Sequence, residues 1–383
     1  MRHHLYNPNF KFVKEPEEFN KYTDRSVLQF CLGASMYMPG HKDFIDAILT
    51  HKYPGLTSMV MCFEDACKIE DVPRAEENSL HTLDVLSQKL ENGEITYADI
   101  PLLIFRVRNL EQFKHFAEQL KPRYLKVLTG FNFPKFNSDN GEGYFAYLQE
   151  LNNRFGEIIY GLPIIEDSTV AFKETRMEQL LGIKRILDRY KPLVLNVRVG
   201  ATDFSSCFGA RRDVEYTIYD IMTVSDILLD ILNIFTRRGD YVVSGPVWEY
   251  FKVKKSMRFQ ELPKINLQES LMRREPLVSA EVDGLMRELV LDKANGFIGK
   301  TVIHPSHINY VNGFLAVTKE EYEDALQVLN TSGGVIKSGA SNKMNEIGPH
   351  RLWAERLVAR AAAYGVIENK QSYLALFHTE NEE

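Results

Sequence analysis

Two apolar runs separated by a helical pattern stand out in the middle of the chain. The first run, 157–165, ends at Glu166, and the second, 193–199, leads through Gly-Ala-Thr to Asp203. Two strands joined by a crossover helix lie parallel, so their carboxyl ends face the same way. The pattern therefore predicts that Glu166 and Asp203 lie on one edge, although each could instead cap the helix that follows its strand.

The same alternation of strand-like and helical patterns continues along most of the chain. Eight β-rich runs alternate with helical segments, at 26–38, 56–63, 100–107, 124–128, 157–165, 193–199, 241–243 and 298–303. Eight such units predict an α/β fold, a closed (β/α)₈ TIM barrel. An open doubly wound sheet is the alternative, but the chain carries neither Gly-x-Gly-x-x-Gly after its first strand nor Gly-x-x-x-x-Gly-Lys-Ser/Thr.

The two ends of the chain differ from this repeating middle. Residues 1–24 are polar and aromatic without a clear period and are interpreted as an N-terminal arm, which leaves 25–318 for the barrel. Within the barrel, a less regular polar and basic segment is expected at 248–275. Residues 319–383 are predicted to form a C-terminal helical extension with an amphipathic helix at 350–365. Such an extension serves either as a lid or subunit contact, or simply packs against the barrel.

Composition narrows the class of protein. The chain has 383 residues, of which 44% are hydrophobic and 26% charged, as in ordinary globular proteins. The net charge of -6 gives no broad basic field for nucleic acid or an anionic membrane. The four cysteines form no Cys-x-x-Cys pair, and no signal-peptide core or bilayer-spanning run occurs. A cytoplasmic location is therefore expected.

Polar residues follow the predicted strands at the points where these strands end. They are Glu64, Asp65, Arg106, Lys135, Glu166, Asp203 and His304. Barrel enzymes build their active sites on the face formed by these carboxyl ends. Each residue has a simpler explanation on its own, such as solvation for Lys135 or helix initiation for His304. Together they indicate an active site in which Glu166 and Asp203 bind a divalent cation such as Mg²⁺, which prefers oxygen ligands.

Seven short motifs carry a resemblance that covers residues 37–364. They are Met-Pro-Gly at 38–40, Phe-Glu-Asp-Ala at 63–66, Arg-Val-Arg at 106–108, Pro-Lys at 134–135, Ile-Glu at 165–166, Gly-Ala-Thr-Asp at 200–203 and Gly-Lys-Thr-Val-Ile-His-Pro at 299–305. In this order they resemble the citrate lyase β-subunit (citryl-CoA lyase-like) family of the HpcH/HpaI aldolase superfamily. The chain is most similar to a divergent branch of C–C bond lyases found with bacterial stress-response (tellurium-resistance-associated) genes.

The resemblance implies roles for individual residues. Glu166 and Asp203 match the carboxylates that bind Mg²⁺, with Mn²⁺ as an alternative metal, and Arg106 matches the arginine that holds a substrate carboxylate. Catalytic roles are also implied for a further set of acids, and substrate contacts for residues on the same rim. The acids are Glu64, Asp65 and Glu346, and the rim residues are Lys135, Pro246 and His304.

The resemblance also implies an activity and an assembly. The expected activity is Mg²⁺-dependent cleavage or formation of a carbon–carbon bond (EC 4.1.3-type) in a small oxo or hydroxy acid, as the free acid or as its CoA thioester. A homo-oligomer, dimer or trimer, is expected, in which a C-terminal segment closes the site of a neighbouring subunit. A thioester hydrolase and a non-catalytic ligand-binding subunit are the alternatives on the same scaffold.

Departures from the family pattern bear on the substrate. Cys62 and Arg108 stand where the family has aspartate and asparagine, and Glu346 stands where a catalytic aspartate is expected. Glutamate keeps the charge but is longer by one methylene. Basic residues such as Arg212 and Lys300 could meet phosphates of a ligand, although surface solvation is the alternative for each.

Overall fold

The computed structural model describes residues 1–252, 266–339 and 342–377, and its centre is a ring of parallel strands. Seven strands form one sheet: β1 (Ala34–Pro39), β2 (Ser58–Cys62), β3 (Leu102–Arg106), β4 (Leu128–Phe133), β5 (Tyr160–Ile165), β6 (Arg198–Val199) and β7 (Lys300–Val302). Their order is β6-β5-β4-β3-β2-β1-β7, and every neighbouring pair is parallel. Residues of β2 and β3 are buried along their whole length, as expected for strands covered on both faces.

An extended segment at 242–245 closes the ring between β6 and β7. The amide of Val197 donates to the carbonyl of Val242, and that of Ser244 donates back to Val197, both at 2.9 Å. On the other side, the amide of Gly245 donates to the carbonyl of Gly299 at 2.9 Å. The eighth predicted run therefore occupies the eighth position, and the TIM barrel is confirmed.

Helices cover the outside of the ring and extend beyond it. They are α1 (Arg25–Leu28), α2 (Ile45–Leu49), α3 (Val72–Glu91), α4 (Leu110–Ala117), α5 (Gly141–Phe155), α6 (Ser168–Ala171), α7 (Lys173–Arg189), α8 (Ala201–Cys207), α9 (Met222–Phe235), α10 (Leu267–Met272), α11 (Ala280–Asn295), α12 (Ile308–Leu315), α13 (Lys319–Asn330), α14 (Ile347–Tyr364) and α15 (Ser372–Phe377). Within the described ranges, no helix combines the length and the apolar character needed to cross a membrane.

Two predicted elements were misplaced. The strand expected at 124–128 is instead a 3₁₀ turn, Pro122–Lys126, and β4 follows it. Proline at the start of that turn fixes its φ and favours helical geometry. The long helix expected from residue 214 begins only at Met222, because Thr217 and Asp220 form a capping box for a separate 3₁₀ turn. Of the irregular segment expected at 248–275, residues 253–265 lie outside the described part of the chain.

The C-terminal extension packs on the barrel through its own small apolar core. Short strands join it to the barrel and to itself: β8 (Val317–Thr318) pairs with β11 (Val366–Ile367), and β9 (Val335–Lys337) pairs with β10 (Met344–Glu346). Apolar side chains of α13 and α14, including Ala325 and Leu357, form a separate cluster. The boundaries 1–24, 25–318 and 319–383 and the lid or subunit-contact role stay predictions, and residues 378–383 lie outside the described residues.

The N-terminal arm is buried against this extension. His4 Nε2 lies 2.9 Å from the carbonyl oxygen of Tyr364, and His4 Nδ1 lies 2.9 Å from the hydroxyl of Tyr6. The ring of His3 stacks on that of Tyr364, with centroids 4.2 Å apart. Burial lowers the pKa of His4 from 6.5 to about 4. The arm is therefore fastened by imidazole rings that stay neutral in the folded chain.

Acid is expected to weaken the fold through His4. Because the pKa of His4 is lower in the folded chain than in the unfolded chain, the unfolded state binds more protons between about pH 6.5 and pH 4. The free energy of unfolding should fall by about 3 kcal/mol on this account as the pH drops through that window. Urea unfolding of the wild type and of His4→Gln at pH 7 and pH 4 checks this. The exposed His81→Gln is the control, and an equal acid loss in the wild type and His4→Gln would contradict the prediction.

A buried ionic cluster lies between β7 and α11. The Lys300 ammonium is 2.8 Å from Glu288 Oε1 and 2.7 Å from Asp292 Oδ2, and it is fully buried. Arg212 forms an ion pair with the same Glu288, and the Tyr219 hydroxyl donates to Asp292 at 2.6 Å. The expectation that Arg212 and Lys300 meet phosphates or solvent is therefore wrong: both side chains are buried on internal carboxylates.

Candidate active site

An open cavity of about 490 Å³ lies at the carboxyl ends of the barrel strands. It is lined by Tyr37, Cys62, Asp65, Ala66, Arg106, Ile164, Glu166, Arg198, Val199, Gly200, Thr202, Asp203, Ser206, Val247, Thr301 and Ile303. Four residues predicted from the strand ends are in this set, namely Asp65, Arg106, Glu166 and Asp203. This volume lies in the range of small-molecule sites.

Arg106, the last residue of β3, is the centre of the ionic contacts in the cavity. Its Nη2 lies 2.6 Å from Glu64 Oε2, 3.0 Å from Asp65 Oδ2 and 2.9 Å from Glu166 Oε1. The guanidinium is nearly buried, and its Nε meets no hydrogen-bond acceptor. Three carboxylates on one buried guanidinium more than neutralise its charge. Arg106 therefore organises the acids of the site.

The neighbouring acids Glu64 and Asp65 differ in their affinity for protons. Burial raises the pKa of Glu64 to about 7, despite the opposing effect of the Arg106 guanidinium. For Asp65, burial acts to raise the pKa, but the guanidinium outweighs it and the pKa is lowered from its usual value. Glu64 is therefore a group that exchanges a proton near neutral pH, beside an Asp65 that stays ionised.

Lys135 connects the acids at the ends of β5 and β6. It has a left-handed backbone, with φ of 47°, in the loop after β4. Its amide donates to Glu166 Oε1 at 3.1 Å, and its carbonyl accepts from Asn140 Nδ2 at 2.8 Å. Its ammonium forms an ion pair with Asp203 and lies 3.5 Å from Glu166 Oε1. These contacts stabilise a conformation that a non-glycine residue rarely adopts.

The charges around Lys135 favour its protonated form. Burial acts to lower the pKa of Lys135, but the carboxylates of Glu166 and Asp203 outweigh it, and the pKa is raised. Burial likewise raises the pKa of Glu166, which is 3% exposed. Ionised Glu166 therefore depends on nearby positive charge.

Gly200 leaves room for the Glu166 carboxylate. A Cβ atom at position 200 would lie 2.2 Å from Glu166 Oε2 and 2.5 Å from its Cβ. Both distances are too short for non-bonded atoms, so a side chain at this position would displace Glu166. The glycine of the Gly-Ala-Thr-Asp motif therefore allows the two acids at 166 and 203 to share one site.

The donor set fits a hard divalent cation. Glu166 and Asp203 supply carboxylate oxygens that already share one positive group, the Lys135 ammonium. Among the residues that the structure describes, no group of three or more His, Cys, Asp or Glu side chains could hold a metal ion. Two protein carboxylates are a usual number for Mg²⁺, which retains several waters or takes ligand oxygens.

Three predicted site residues do not line the cavity. The ring of His304 stacks on Phe251 with centroids 4.5 Å apart, and its Nδ1 accepts from the amide of Ser306. Pro246 lies beside the lining residue Val247. Glu346 ends β10 and is exposed in the C-terminal extension. The structure therefore brings six of the nine predicted residues together, namely Glu64, Asp65, Arg106, Lys135, Glu166 and Asp203.

Sequence analysis missed three polar residues that line the cavity. Arg198, in β6, is 1% exposed, and it lies between Tyr37 and Thr301. The signal in the sequence was a charged residue inside the otherwise apolar run 193–199. A charge in a buried strand needs a partner or a function. Tyr37 and Thr301 carried no comparable signal, because both residue types are common in strands.

Comparison with solved structures gives the same architecture. CitE from Mycobacterium tuberculosis, in complex with magnesium, acetoacetate and coenzyme A, is 16% identical with a TM-score of 0.53, covering 87% of this chain and 99% of that one. The citrate lyase beta subunit from M. tuberculosis, complexed with oxaloacetate and magnesium, is 15% identical with a TM-score of 0.45, covering 74% and 96%. RipC from Yersinia pestis is 14% identical with a TM-score of 0.46, covering 75% and 95%.

Comparison of the sequence itself identifies the family. A search of curated proteins gave no match. The family model described as C–C bond lyase of the TIM-barrel fold matches residues 26–366, which is most of the chain. Because the match includes the barrel and every acid that contacts Arg106 or Lys135, the chain belongs to the C–C bond lyase family of the TIM-barrel fold.

Proposed function

We propose that this protein is a Mg²⁺-dependent lyase that cleaves or forms a carbon–carbon bond in a small oxo or hydroxy acid. The observation that carries the proposal is the convergence of Glu166 and Asp203 on one cationic group beside Arg106. The family supports the reaction class. The CitE structure with magnesium, acetoacetate and coenzyme A supports the metal and the kind of ligand, with a CoA thioester as one form of the substrate.

Glu166 and Asp203 would hold the metal, Mg²⁺ or Mn²⁺. When bound, a divalent cation stabilises the negative charge that develops on the oxo oxygen as the carbon–carbon bond breaks. Lys135 forms its ion pair with the same carboxylates, so its ammonium would move to make room. Its long, half-exposed side chain can do this while its amide stays on Glu166.

Arg106 and Glu64 would act directly on the substrate. Arg106 holds Glu64, Asp65 and Glu166 in fixed positions around the cavity. Because burial raises the pKa of Glu64 to about 7, this residue can carry the proton that the product carbanion requires. A carbon acid formed by cleavage needs one proton, and the reverse condensation removes one.

Glu346 would act in a neighbouring subunit. Its side chain is exposed and lies outside the cavity of its own chain, in the hairpin formed by β9 and β10. In a homo-oligomer this hairpin would place the carboxylate at the cavity of the next copy. Analytical ultracentrifugation together with mixing of inactive Glu166→Gln and Glu346→Gln chains checks this, since mixed oligomers should regain activity.

Calorimetric titration tests the proposed function. Metal-free protein is titrated with Mg²⁺ and then with pyruvate, and the acid titration is repeated without metal. We expect the acid to bind only in the presence of Mg²⁺, and acid binding of equal strength without metal would contradict the proposal. Product analysis with candidate thioesters then separates two reactions: a lyase releases two carbon fragments, whereas a thioester hydrolase releases an acid and free thiol.

A further inference from the structure

Arg198 crosses the interior of the barrel from β6 to the opposite strands. Its Nη1 donates to Ser35 Oγ of β1 at 3.2 Å, and its Nη2 donates to Thr301 Oγ1 of β7 at 2.7 Å. The guanidinium lies over the ring of Tyr37, 5.6 Å from the centroid. Arg198 and Thr301 both line the cavity. This side of the cavity, formed by Tyr37, Arg198 and Thr301, is named the Arg198 subsite.

The charge of Arg198 is not compensated by the protein. In the described ranges its side chain forms no ion pair, and its buried Nε meets no hydrogen-bond acceptor. A buried cation without a counter-charge is costly, which is why such groups are normally paired. Arg106, by contrast, already contacts three carboxylates. Of the two arginines that line the cavity, Arg198 is therefore the one whose charge a ligand can balance.

Thr301 presents this charge to the cavity. Its Oγ1 accepts from Arg198, so its own hydroxyl proton is left to donate to a ligand in the cavity. Hydrogen bonds of this kind polarise one another, and a donor backed by a guanidinium is strengthened. Because Ser35 and Thr301 already occupy both terminal nitrogens, few donors remain, which suits a carboxylate better than a larger phosphate.

We propose that Arg198 and Thr301 bind a second carboxylate of the substrate, so that the enzyme selects dicarboxylic oxo or hydroxy acids over monocarboxylic ones. This inference rests on the proposed function, because the first carboxylate and the adjacent oxygen of the acid would lie at the metal site. It assigns a specificity-determining role to two residues whose side chains make no contact with Glu166 or Asp203.

Binding of malate and lactate, measured by calorimetry with Mg²⁺ present, tests the inference. The two hydroxy acids differ by one carboxymethyl carboxylate, and both are chemically stable. We expect the wild type to bind malate about 10- to 100-fold more tightly than lactate, the usual value of a charge-assisted contact. Arg198→Met should abolish this preference and Thr301→Val should reduce it, while Mg²⁺ affinity is unchanged in both.

Controls separate selectivity from folding and from the proposed function. Thr129→Val makes the same substitution at a buried barrel strand position outside the cavity and should keep the malate preference. Removing an uncompensated cation should leave the melting temperature of Arg198→Met equal or higher. Equal binding of malate and lactate by the wild type, or an unchanged preference in Arg198→Met, overturns the subsite alone. Failure of both acids to bind with Mg²⁺ overturns the proposed function and the subsite with it.

Discussion

Replacement of Glu166 by glutamine is expected to abolish Mg²⁺-linked acid binding and to lower lyase activity by about 1000-fold or more, because a metal contact supplies several kcal/mol to the transition state. Glutamine keeps the shape of the side chain but removes the carboxylate that faces Lys135 and Arg106. Burial raises the pKa of Glu166, so the charged form is costly and the neutral variant should fold at least as well as the wild type. Calorimetry and thermal unfolding on the same samples measure both effects.

Gly200→Ala tests the position of the Glu166 carboxylate without changing its charge. The new Cβ would clash with Glu166 Oε2, and we expect a loss of Mg²⁺ affinity of about 10- to 100-fold, the range for a displaced ligand. Gly348→Ala is the matched control, since a Cβ at this helical position meets no atom within 4 Å. Full Mg²⁺ affinity in both Glu166→Gln and Gly200→Ala would exclude the proposed metal ligands.

The fold was largely predictable because parallel barrel strands are buried on both faces. Such strands are continuous apolar runs, and eight of them between helical patterns indicate a ring. The exception at β4 has a local cause. Thr129, Gly130 and Asn132 interrupt its apolar pattern, so the run before it, which ends in a 3₁₀ turn, was taken for the strand. Tertiary burial, which the sequence does not display directly, determined the position of β4.

The candidate site was predictable where chemistry follows the topology. Acidic and basic residues immediately after strands, such as Glu166 after β5, lie on one rim whatever the details of packing. Side-chain direction is a different matter. His304 follows β7 as expected, yet its ring turns to Phe251, and Arg198 lies one residue before the strand end and points inward across the barrel. Contacts across the ring decide such cases, and no local pattern reports them.

Removal of the buried ammonium in Lys300→Met is expected to be the most destabilising of the substitutions considered. It leaves Asp292 with only the Tyr219 hydroxyl and leaves Glu288 with Arg212 and the Ile218 amide. Breaking a buried ion pair by removing one partner costs about 3–5 kcal/mol. Urea unfolding measures this loss in the free energy of unfolding.

Two further variants show whether the uncompensated carboxylates cause that loss. Lys126→Met removes a half-exposed partner of Glu91 and should cost at most about 1 kcal/mol, as is usual for surface pairs. Adding Asp292→Asn to Lys300→Met removes one of the uncompensated charges, so the double variant should recover part of the stability. If the double variant were as unstable as the sum of the two single ones, Lys300 would contribute through packing, and the ion pair with Asp292 would contribute little.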